Sequence, residues 1–502
     1  MVYSLALVCY YFCTIKKIKN HFMRNTPATA LFNLRNLLFL SLLSFVVSCS
    51  KSDTGGGNTP LSPGSIVAFS FQKSATIPVT STAALSGSSI NIFLPAGTNP
   101  NALVATFTLS DSSLVTVNGV TQQSGITAND FSSPVTYTVS TKTGSKTYTV
   151  YLTTGIQPLD QNVAAFMQQY NIPGMSIAIT LNDQLVYAQS YGQAVVETNT
   201  VATNQSQFRV SSLSKQITSA MVMKLIDQGK IHMTDKVFGP GAILGTMYGA
   251  QPYGPGIGNI TVDNLLHCTS GGWLDDNTDP LGQNPSMSSQ QIITWGLNNV
   301  PLLDTVPGRS YYYSHFGYVI LGRVIEQITG MTYTQAAQQL VLQPSGITDM
   351  TIATNNLSTR QPNEVEYYST IPGEAYGWNI NREDAANGWI ASATDMARFL
   401  THVDGFSSQT LISPAAFQIM STGSGANPSY ACGWEVNQYN LFHHGSLPGT
   451  GTSQAITTQY GNFNYVILCN GNNGAQSFNS DMDNIFWNAL PNITSWPTYN
   501  LF

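Results

Sequence analysis

The chain has 502 residues, of which 42% are hydrophobic and only 9% are Asp, Glu, Lys or Arg, with a formal net charge of −6. That length exceeds one ordinary core and predicts two domains plus an export segment. The mild acidic balance, with no basic run after the leader, argues against a nucleic-acid partner.

The first 48 residues read as a signal segment. Lys16, Lys17, Lys19, Arg24 and Arg35 precede an apolar run at 37–47, too short to span a bilayer comfortably but suited to a signal-peptide core. Met23 alone would start a conventional leader of this kind. The run ends in Val46-Val47-Ser48-Cys49, which resembles a bacterial lipobox. The resemblance implies lipid attachment at Cys49 and an exported lipoprotein, facing the periplasm or the cell surface at the outer membrane. An uncleaved membrane anchor is the plainer alternative; the small Ser48 before the cysteine and the flexible segment after it favour the lipobox. Residues 49–64 carry several glycines and almost nothing to bury, as a tether does.

Residues 65–155 change to short alternating runs at 66–71, 90–94, 102–109, 115–117, 135–139 and 148–152, punctuated by Gly87, Asn118-Gly119 and Gly144. Strands of this kind predict an all-β sandwich. The stretch 117–137 resembles immunoglobulin-like domains at the front of Bacteroidetes lipoproteins. A spacer is the expected role, since no solvent-facing aromatic platform for a glycan is evident.

Residues 157–492 predict one α/β unit with an antiparallel sheet and a helical lobe. Val163, Phe166, Met167 and Tyr170 have helical spacing, and a hairpin turns at Asn182-Asp183. Strands at 431–436, 439–443, 454–458 and 463–469 precede a last helix at 475–490. Strands at both ends and helices between them imply a sheet closed by distant segments. Cys268, Cys432 and Cys469 show no metal-ligand spacing, so buried free thiols are expected, with one disulfide as the alternative.

Three constellations in this unit carry chemistry. Ser212 and Lys215 stand three residues apart at the start of a strongly apolar helix, so both side chains share one face and the amine can reach the hydroxyl. Burial would lower the lysine pKa enough for it to take that proton. Tyr313 follows a Pro307-Gly308 turn within Tyr311-Tyr312-Tyr313-Ser314-His315, and His443-His444-Gly445-Ser446 lies on a late strand. In this order the set resembles the penicillin-recognising serine hydrolases, the group of class C β-lactamases, D-aminopeptidases and carboxylesterases. His315 stands where that family has the asparagine of its Tyr-x-Asn motif, and Cys268 where it has a histidine.

The resemblance implies Ser212 as nucleophile, Lys215 and Tyr313 as proton-transfer partners, and His443 in the position of the third-motif cation. It further implies His315 at the substrate, Gly445 as room for substrate to approach, and the Ser446 N–H paired with that of Ser212 as an oxyanion hole. The expected substrates are esters or amides, including D-residue peptides, β-lactam-like compounds and peptidoglycan-derived fragments. The chemistry needs no metal or organic cofactor. The competing class is a catalytically weak or inactive penicillin-binding-like lipoprotein that only binds such fragments or a partner.

Overall fold

The computed structural model describes residues 64–502, apart from 78–79, 96, 143, 372–373 and 407–409. The leader, Cys49 and nearly all of the tether lie outside the described residues.

Alternation of apolar and polar residues builds the first layer pair. Ile66–Phe71 and Leu103–Leu109 centre a four-stranded sheet, and Ser89–Leu94, Gly144–Thr154 and Val135–Thr141 centre a six-stranded one. Along Ser89–Leu94 only Ile90, Ile92 and Leu94 are buried, the period-two pattern of a half-buried strand. The Phe69 and Tyr137 rings, one from each sheet, meet edge to face at 5.3 Å, so the sheets share one core. Asn118 and Gly119 both take positive φ, at 49° and 79°, in the two-residue turn that joins Leu114–Val117 to Val120–Thr121.

The second unit is organised by a seven-stranded antiparallel sheet. Its order is Thr200–Val201, Gln184–Val195, Gly174–Leu181, Phe463–Cys469, Thr450–Thr457, Asn440–Leu447 and Glu435–Val436. Phe463–Cys469 is buried throughout because both of its faces are covered. Tyr465 and Ile467 face the terminal helices Gln157–Tyr170 and Phe478–Ala489. Val466 and Leu468 face the helical lobe, which includes Ser214–Asp227, His315–Thr329 and Ala393–Leu400.

A small antiparallel sheet positions the chemistry. Phe208–Arg209 pairs with Trp389–Ala391, which pairs in turn with Thr351–Ile352. Its ladder continues through the Val210 N–H, which donates to the Trp389 carbonyl at 2.9 Å. Residues just after position 209 are thereby held beside residues just before 389.

Some element boundaries differ from the sequence reading, while the expected thiols are found. The strand expected to stop at residue 443 runs to Leu447, because its hairpin with Thr450–Thr457 keeps pairing through Gly445 and Ser446. The last helix begins at Phe478 rather than 475. Cys268, Cys432 and Cys469 are buried free thiols, so the alternative of a disulfide is not realised. Among the described residues no helix is long and apolar enough to cross a membrane.

Candidate active site

The nucleophile turn is shaped by unusual backbone. Ser211 has φ +51°, a left-handed conformation that costs a non-glycine residue energy, and the chain then makes one 3-10 turn, Ser211–Leu213, before helix Ser214–Asp227. Side chains on both sides hold this turn. Ser211 Oγ donates to the Ser446 carbonyl at 3.4 Å, and Ser214 Oγ accepts from the Trp389 N–H at 3.2 Å. Ser212 is left facing a cleft of about 450 Å³ that is also lined by Asp275, Tyr313, His315, Glu435 and His443.

Lys215 lies one turn on, with no solvent exposure. Its Nζ is 3.2 Å from Ser212 Oγ, 3.2 Å from the Ala386 carbonyl and 3.4 Å from Asn387 Oδ1. Burial pushes its pKa down to about 8, against the opposing pull of Asp275, Cys268, Glu383 and Asp279. Tyr313 lines the cleft beside Ser212, and its ring centroid is 5.0 Å from Lys215 Nζ. Burial holds the Tyr313 phenol well above its ordinary pKa, so it stays protonated and can donate a proton but not serve as the resting base.

His443 stands in the position of the third-motif cation, and its environment keeps it neutral. Burial, with the nearby Lys215 charge, pushes His443 down to about 3. Its Nδ1 pairs with the His444 carbonyl at 2.6 Å, which leaves Nε2 a buried atom without a hydrogen-bond partner. His444 takes the opposite course. Burial would lower it, but the Asp483 carboxylate, 2.8 Å from Nε2, wins and raises it.

His315 lines the cleft beside Ser212, and both of its ring nitrogens are engaged within the protein: Nε2 lies 2.6 Å from Asp275 Oδ2 and Nδ1 accepts from Asn387 Nδ2. Although burial acts to raise it, the Asp275 carboxyl is held below its ordinary value by His315 and Lys215. At Gly445 a Cβ would meet Thr452 Oγ1 and lie 2.8 Å from Ser211 Cβ and 3.0 Å from the Val210 carbonyl oxygen, so the glycine lets its strand press against both the neighbouring strand and the nucleophile turn. Ser446 faces the same turn through its carbonyl.

The sequence reading missed Asn387, Asp275 and Glu383. Asn387 is buried and touches Ser212 Oγ at 3.2 Å, Lys215 Nζ, His315 Nδ1 and Glu383 Oε2, the last at 2.8 Å. It stands shortly before the helix Ala393–Leu400 and belongs to none of the three constellations marked in the sequence.

Residues 159–486 match the Beta-lactamase family, and this is more than half of the chain, which therefore belongs to that family. Residues 66–152 match the family described as SGBP, N-terminal. Protein flp of Staphylococcus aureus (strain N315) is 25% identical over 325 residues, covering 63% of this chain and 63% of that protein. The chain thus spans less than two thirds of the length of this curated relative. Among solved structures, a class C beta-lactamase superposes with a TM-score of 0.55 at 20% identity, over 66% of this chain and 96% of the other. D-alanine carboxypeptidase AmpC from Burkholderia cenocepacia superposes with a TM-score of 0.52 at 19% identity, over 67% and 98%. These likenesses establish the fold, and membership of the family supports a serine hydrolase-type function.

Proposed function

We propose that the protein is an exported, lipid-anchored serine hydrolase that works through an acyl-enzyme on Ser212 and prefers esters or short D-residue peptides to β-lactams. The observation that carries this reading is the fully buried Lys215, whose Nζ stands 3.2 Å from Ser212 Oγ and whose pKa is pushed down to about 8. A lysine so placed can take the hydroxyl proton as Ser212 attacks a carbonyl carbon. Tyr313, kept as a phenol, passes its proton to the leaving group and takes in exchange the one Lys215 has accepted, so both groups return to their starting states. The N–H groups of Ser212 and Ser446 receive the oxyanion, and water releases the acyl group.

The substrate preference rests on charge. Among the described residues lining the cleft there is no lysine or arginine side chain, whereas the carboxyls of Asp275 and Glu435 are present. His443, neutral by burial, adds an acceptor where a carboxylate-bearing β-lactam would need a cation. A small neutral ester needs no such clamp and has a better leaving group. Assayed in parallel on p-nitrophenyl butyrate, a D-alanyl peptide and a chromogenic cephalosporin, with Ser212→Ala as blank, the protein should turn over the ester at least about tenfold better than the cephalosporin in kcat/KM. A cephalosporin value a decade above the ester value would reject the preference. No turnover and no covalent adduct with any of the three would instead favour a binding protein.

The match of 66–152 to an SGBP N-terminal domain supports a place at the cell envelope, with the sandwich as an immunoglobulin-like spacer behind a Cys49 anchor. Cys49→Ser should leave uncleaved precursor or free the protein from its lipid. Metabolic labelling with a fatty-acid probe measures this, and unchanged acylation would rule out Cys49 as the site.

A further inference from the structure

We propose that Asn387 is a positioning residue for the catalytic base: together with the Ala386 carbonyl it occupies the N–H groups of neutral Lys215, so that the amine lone pair is aimed at Ser212 Oγ. This rests on the assignment of Lys215 as base and adds a residue outside the three recognised constellations.

A neutral amine has two N–H donors and one lone pair. Lys215 Nζ has three polar neighbours, the Ala386 carbonyl at 3.2 Å, Asn387 Oδ1 at 3.4 Å and Ser212 Oγ at 3.2 Å. The first two are acceptors only, so they take the two hydrogens. The third is a hydroxyl, also 3.2 Å from Asn387 Oδ1, whose one hydrogen can turn from that oxygen to the lone pair.

The arrangement works only if the Asn387 amide keeps its oxygen toward Lys215, and its other neighbours enforce that. Both Nδ2 hydrogens are used, one by Glu383 Oε2 at 2.8 Å and one by His315 Nδ1. His315 can accept at Nδ1 because its proton sits on Nε2, where the Asp275 carboxylate receives it at 2.6 Å. A flipped amide would set its oxygen against the Glu383 oxygen and its hydrogens against those of Lys215. The histidine that replaces the family's motif asparagine thus orients a different asparagine, which the paired strands Phe208–Arg209 and Trp389–Ala391 bring alongside.

The test compares the full chain with its Asn387→Ala and Asn387→Asp variants by the rate of acylation by p-nitrophenyl butyrate against pH. A second readout, independent of activity, is the titration of Lys215 by carbon-13 NMR, assigned with Lys215→Met. The Lys215 charge is also faced by Asp275, Asp279, Glu383, Cys268 and His443 and by the Tyr313 and Tyr318 rings; the variants remove none of these groups, but they take from Glu383 the Asn387 hydrogen bond that opposes its burial. Asn387→Ala should lower the limiting acylation rate about 100-fold, as expected when a reacting group is misplaced by an ångström. It should also move the Lys215 midpoint down, because the ammonium loses an acceptor. Asn387→Asp, the same size, should move the midpoint up. A folded Asn387→Ala protein with the wild-type rate and midpoint would overturn the proposal. If that variant does not fold, an unshifted Lys215 titration in Asn387→Asp overturns it instead. Should the titrations shift as expected while the wild type forms no adduct at Ser212, the positioning stands and the hydrolase reading falls.

Discussion

Ser212→Ala is expected to abolish covalent labelling by a fluorophosphonate and to lower ester turnover by about 10⁴-fold or more, as for loss of a nucleophile elsewhere. The fold should survive. Removing one hydroxyl deletes hydrogen bonds to Asn387 Oδ1 and Lys215 Nζ, but each of those groups keeps other partners, so the cost is on the order of 1 kcal/mol. The neighbouring serines are built into the scaffold: Ser211 Oγ is turned to the Ser446 carbonyl and Ser214 Oγ to the Trp389 N–H. Ser211→Ala and Ser214→Ala should therefore still form the adduct, measured by intact mass and thermal melting side by side. An adduct that persists in Ser212→Ala and vanishes in either neighbour would show that the nucleophile register is wrong.

What could be read from the sequence was local, and what could not was set by distant pairing. Ser212 and Lys215 share a helix start, and a three-residue separation on a helix already dictates that they meet. The sandwich strands were legible because each alternates within itself, as Ser89–Leu94 does. Asn387 gave no such signal. It reaches Ser212 through a sheet whose partner strands, Phe208–Arg209 and Trp389–Ala391, are two and three residues long and far apart in the chain. Strands so short carry no periodicity to detect. Charge state was equally hidden, since His443 and His444 are adjacent in sequence yet pushed in opposite directions, one by burial and Lys215, the other by Asp483. Gly445 was singled out as room for a substrate; only packing reveals that Thr452 and Ser211 approach it from within the chain.

Lys215→Met should cost about 10²- to 10⁴-fold in the acylation rate, the range for removing a general base, while Ser212 remains available. The wild-type rate should depend on pH with a definite sign. Only the neutral amine accepts the Ser212 proton, so the rate rises about tenfold per pH unit from pH 6 and levels off above about 8, where burial has placed the Lys215 pKa. His443, pushed down to about 3, does not titrate in that interval. The same shift makes a matching statement about stability. A depressed lysine pKa means that between about 8 and the unfolded value of 10.5 the unfolded chain binds the extra proton. Stability of the wild type relative to Lys215→Met therefore rises across that window, by about 3 kcal/mol in all, and is constant below it. Methionine keeps the apolar stem and carries no charge to bury, so the variant remains folded at neutral pH. Stopped-flow acylation and urea unfolding over pH 6 to 11 measure the two effects. An acylation rate that is flat from pH 6 to 9 would remove Lys215 from the role of base, whatever the variant's residual activity.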